Sequence, residues 1–67
     1  MAHNSFVAQT TLEKLDSIMQ QINSIENDLK YMNQDTDNEM RNALVELARA
    51  YVAIADCYSK ITYYYSS

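Results

Sequence analysis

The chain has no glycine and no proline among its 67 residues, and only one cysteine and one histidine. Glycine supplies positive φ and proline interrupts helices. Their joint absence argues against strands joined by tight turns and against folds of many short elements. It also excludes phosphate-cradling glycine-rich loops outright. Helix with one simple connection is the natural reading. The lone Cys57 has no mate for an intrachain disulfide, so a reducing, intracellular setting is expected. The lone His3 cannot furnish the Glu-x-x-His motifs that a di-iron helical bundle needs.

Cations are sparse as well. Lys14, Lys30, Arg41, Arg49 and Lys60 are scattered among nine acids, for a formal charge of −4. A phosphate-neutralising protein concentrates cations on one face, so nucleic-acid binding is disfavoured. The acidity speaks mostly for solubility. Long apolar runs are missing too: the longest strongly apolar uncharged run covers residues 50–55, against about 20 residues for a membrane-spanning helix. The first residues, Met1-Ala2-His3-Asn4-Ser5, lack a basic region followed by an apolar core, so no secretory signal is expected. A cytoplasmic chain, of a kind a virus or phage could encode, is the expectation.

What is present is a pair of heptad patterns mirrored about the polar stretch 33–38. In the first half apolar or small residues recur at Ala8, Thr11, Leu15, Ile18, Ile22, Ile25, Leu29 and Met32. In the second, the same alternating steps of three and four run through Met40, Leu44, Leu47, Tyr51, Ile54, Tyr58, Ile61 and Tyr65. A 3.5-residue apolar period marks helices that pack along a seam, and a short turn between two such helices makes them antiparallel neighbours. Folding the chain back pairs Leu29 with Leu44, Ile25 with Leu47, Ile22 with Tyr51, Ile18 with Ile54 and Leu15 with Tyr58. The fold class is therefore all-α, an antiparallel helical hairpin formed by residues 1–67 as one domain.

Helix 1 is expected over about residues 5–33, because Ala8 already continues the seam. The competing start is Thr10, where Thr10-Thr11-Leu12-Glu13 reads as a capping box. The turn spans residues 34–37 and helix 2 about 37–64, opened by a second box, Thr36-Asp37-Asn38-Glu39. Glu26 with Lys30 and Asp56 with Lys60 form i,i+4 pairs on the solvated faces. No seam position is charged.

Helix 2 is apolar beyond a narrow stripe. Ala43, Ala48, Ala50, Ala55 and Cys57 flank its seam, with Val45 and Val52 further round. So broad a face implies burial against several neighbours, and small flanking residues permit close helix approach. Ordering a chain of this length costs on the order of 100 kcal/mol of conformational entropy, and a lone hairpin has a single layer of contacts to set against it. Chains this small without disulfides or metals often stabilise by association. A homo-oligomer is expected, a dimer first, completing a four-helix bundle or coiled-coil assembly. In architecture this is similar to the Rop-type hairpins that dimerise into four-helix bundles, a likeness of geometry without a shared motif.

No residue pattern points to catalysis, a cofactor or a metal. Asp35, Asp37, Glu39 and Glu46 match positions 1, 3, 5 and 12 of a calcium loop, but Met40 stands where the sharp turn needs glycine. Helix capping accounts for these acids better. Cys57 has no base near it in sequence to raise its thiolate fraction, and beside the seam it is expected to be covered as a small hydrophobe. The chain is expected not to be an enzyme.

The expected interface for an oligomer or partner comprises Leu12, Leu15, Ile18, Met19, Ile22, Leu44, Leu47, Tyr51, Ile54, Tyr58, Ile61, Tyr64 and Tyr65. Tyr51, Tyr58 and Tyr65 fall one heptad apart, where a bundle's wider interior takes the ring while the hydroxyl reaches water. Tyrosine is favoured at binding hot spots, so residues 58–65 are the first choice for contact with a partner. Leu12 and Met19 widen the apolar stripe of helix 1 opposite that end. These features point to a small protein–protein interaction module that self-associates. The rival readings are an accessory or structural subunit of a viral particle or enzyme complex, a regulator or inhibitor of one target enzyme, and last a Rop-like nucleic-acid-binding bundle.

Overall fold

A computed structural model of the chain describes residues 5–32 and 37–66. It contains two helices, α1 (Ser5–Met32) and α2 (Asn38–Ser66), which pack against each other as a hairpin. Each is about 42 Å long at 1.5 Å per residue, yet the Cα trace measures 54 × 15 × 10 Å. The helices therefore lie side by side, and the short connection makes them antiparallel. No described residue has positive φ, which suits a chain without glycine.

Local chemistry sets the described helix starts. Thr10 lies inside α1, where its Oγ1 donates to the Val7 carbonyl at 3.0 Å, so the Thr10 box does not open the helix. At the start of α2, Asp37 is the cap. Its Oδ1 accepts from the backbone N–H of Glu39 at 2.8 Å and of Met40 at 3.3 Å. Its carbonyl accepts from the Arg41 N–H at 2.9 Å. These are the bonds of an N-cap aspartate to its second and third helical residues, one position later than the cap expected at Thr36. Thr36 itself, like Asp35, lies outside the described residues.

Side-chain bonds brace both exposed faces. On α1 the Gln20 amide donates to Asp16 at 2.8 Å and Lys30 to Glu26 at 3.4 Å. On α2 Arg49 reaches Glu46 at 3.1 Å and Lys60 reaches Asp56 at 2.9 Å. Such pairs contribute a few tenths of a kcal/mol each.

On α2 all eight seam positions from Met40 to Tyr65 are half-buried. On α1 the heptad line Ala8, Leu15, Ile22, Leu29 faces inward as expected. The second line does so only at Thr11. Ile18, Ile25 and Met32 are exposed, Ile18 at 41%, and Leu12, Met19 and Glu26 are half-buried instead. α1 is thus turned toward the residue four past each heptad line rather than three past it. Met19 is unbranched and Glu26 carries a long apolar stem, so both adapt to an irregular helix contact, whereas isoleucine is stiff at χ1. Glu26 is therefore an acid beside the seam, contrary to the uncharged seam expected, with its carboxylate held by Lys30. Among the described residues only Ala8 is buried, at 6% exposure.

Candidate interaction surface

The far end of the hairpin brings the beginning of α1 against the end of α2. Tyr58 there shares a depression with Ala8, Leu12 and Asp16. Beyond it Tyr64 and Tyr65 meet edge to face, ring centroids 5.0 Å apart at 88°, an arrangement aromatic quadrupoles favour. Tyr63 is 77% exposed and Tyr64 58%. Phe6 and Val7 of α1 are exposed as well, so apolar and aromatic surface collects at this end from both helices.

Of the thirteen expected interface residues, Leu12, Leu15, Met19, Ile22, Leu44, Leu47, Tyr51, Ile54, Tyr58, Ile61 and Tyr65 are half-buried by the hairpin itself. Ile18 and Tyr64 are exposed. Cys57 is exposed too, which corrects the expectation that it is covered: the packed face of α2 is centred on Tyr51, Ile54 and Tyr58, and Cys57 stands too far round to share it.

A second apolar area lies elsewhere on α2. Val45, Ala48, Val52 and Ala53 line a shallow groove together with Arg49 and Asp56. Val52 is 65% exposed. Sequence reading places Val45 and Val52 beyond the seam, but not this strip as a site. The signal that finds it is a second apolar line at 45, 48, 52 with opposite charges seven residues apart.

Among the described residues every charged side chain but that of Glu26 is exposed. Lys60 has its pKa raised from 10.5, first by the hydrogen bond to Asp56 and then by the charge of that carboxylate. A raised folded-state pKa means that this interaction contributes below pH 10.5 and is lost as pH climbs through the elevated value. Among the described residues no three His, Cys, Asp or Glu side chains gather as metal ligands would. Asp37 caps α2, and Glu39 and Glu46 lie on its helical backbone. Nor is any described helix long and apolar enough to cross a membrane. The chain matches no protein-family model, no curated protein and no solved structure.

Proposed function

We propose that this chain is a small non-enzymatic interaction module. It self-associates, a dimer completing a four-helix assembly, and presents its tyrosine-rich end to a protein partner. The observation that carries this reading is the single buried residue, Ala8, in the described part of two long amphipathic helices. A folded core residue touches several neighbours and stabilises by leaving water. Here the inward residues of α2 are only half-buried, and Phe6, Met32 and Val52 stand largely in solvent. The exposed apolar strip of Val45 and Val52, with Ala48 and Ala53, is surface of the kind that marks interaction sites. A cytoplasmic location, in a cell or as a virus- or phage-encoded chain, goes with this proposal.

Sedimentation equilibrium across a thousandfold dilution tests it. The expected result is a folded species of twice the chain mass at the higher concentrations. A helical, cooperatively melting monomer at every concentration rules self-association out. An unfolded monomer favours the second reading, an accessory subunit that folds on a larger partner. The exposed Tyr63 and Tyr64 are the observation in its favour.

A further inference from the structure

The groove on α2 runs from Val45 to Asp56, about 17 Å of helix at 1.5 Å per residue. Ala48 and Ala53 end at Cβ, so a second helix can approach closely, while Val45 and Val52 supply apolar walls. Arg49 and Asp56 give this strip a direction, positive toward the start of α2 and negative toward its end.

That polarity selects an occupant. In an interface built on a two-fold axis, whatever residue i meets, its counterpart meets i in return. An antiparallel pairing of two α2 helices, with the axis passing between Val52 and Ala53, sets Arg49 opposite the partner's Asp56. The reciprocal pair forms at the same time. Glu46 falls within one residue of the partner's Lys60, adding a further pair on each side. Val52 lies beside the partner's Val52 at the axis. A parallel pairing instead sets Arg49 against Arg49 and Asp56 against Asp56, and like charges in contact oppose association.

In the free hairpin Arg49 holds Glu46 at 3.1 Å and Asp56 holds Lys60 at 2.9 Å. All four side chains are well exposed. A guanidinium has five donors and a carboxylate two acceptor oxygens, so each can take a second partner without releasing the first. Area points the same way. The chain exposes 5381 Å², whereas a globular monomer of 7.7 kDa exposes about 4300 Å². The difference, about 1100 Å², is more than the about 800 Å² that each partner buries in a standard interface.

We infer that the strip from Arg49 to Asp56, centred on Val52 and Ala53, receives the same strip of a second copy, antiparallel, with Arg49 of each chain paired to Asp56 of the partner subunit. This rests on the self-association proposed above and names the face and the geometry that perform it.

The test is a pair of charge reversals in the full chain, Arg49→Asp and Asp56→Arg, studied singly and mixed by native mass spectrometry and sedimentation. Each variant alone meets like charges twice across the axis, and its dimer dissociation constant is expected to rise about tenfold or more. Mixed in equal amounts, the two satisfy both pairs, so the heterodimer is expected to predominate with near-parental affinity. A variant that merely misfolds is not rescued by its counterpart. Two variants that dimerise as the parent does and mix in binomial proportions overturn this face while leaving self-association intact. Weakened variants that fail to rescue each other overturn the antiparallel pairing. A parent chain that is monomeric at every concentration removes the self-association reading and this inference together.

Discussion

Asp37 shows how one side chain sets the start of a helix. Its carboxylate holds two of the backbone N–H groups that α2 leaves without an intrahelical acceptor, and its charge sits where the helix dipole is positive. The sequence, read alone, treats Asp35 and Asp37 alike as helix-capping acids. The structure separates Asp37 as the cap. Asp37→Ala is expected to cost about 1 kcal/mol, and Asp37→Ser or Asp37→Asn to retain most of that, because a short side-chain oxygen serves equally at this position. Urea denaturation at one fixed protein concentration measures it. A change no larger than that of an ordinary surface substitution, about 0.5 kcal/mol, shows that the cap contributes nothing.

At the scale of the element, α2 is the organising helix. Its eight seam positions keep a strict alternation of three and four, and every one is half-buried. Ile54 stands at the middle of that line. Ile54→Asp puts a carboxylate into the helix–helix contact without a cation on the seam to meet it, and a loss of about 2–4 kcal/mol is expected. Circular dichroism and native mass should report lost helicity or dissociation, whereas Asn27→Asp, on an exposed position of α1, should be nearly silent. Near-native helicity and unchanged mass for Ile54→Asp show that the wrong face has been placed inward. The hairpin itself was legible from periodicity, since two mirrored heptad runs about one polar stretch leave few other ways to pack. The rotation of α1 was not. Ala8, Leu15, Ile22 and Leu29 serve equally well with the line three residues on, Ile18 and Ile25, or the line four residues on, Leu12 and Met19. Apolar character cannot choose between them. The choice depends on how individual side chains fit across the contact, which periodicity does not encode. The groove on α2 escaped for a related reason: heptad reading weighs apolar positions and passes over the opposite charges of Arg49 and Asp56, which give that strip its direction.

For the molecule as a whole, shape and stability are coupled. A pair of helices whose Cα trace is 54 Å long and 10 Å thin leaves almost every described residue within reach of water, so its apolar side chains gain only part of what full burial yields. Covering α2 with another copy supplies the missing layer, and mass action then ties folding to concentration. For a dimer, a tenfold rise in chain concentration adds about 1.4 kcal/mol to the stability of the assembled state. With an unfolding entropy of about 2.1 cal/mol/K per residue taken over two chains, that corresponds to a rise in Tm on the order of 5 °C. Thermal melts at a series of concentrations spanning two decades should therefore shift upward in regular steps. The Arg49→Asp and Asp56→Arg variants, melted separately, should lie below the parent at equal concentration, and their mixture should return toward it. A Tm independent of concentration in the parent means that the two helices are stable by themselves, and the uncovered surface of α2 then has no part in holding the fold.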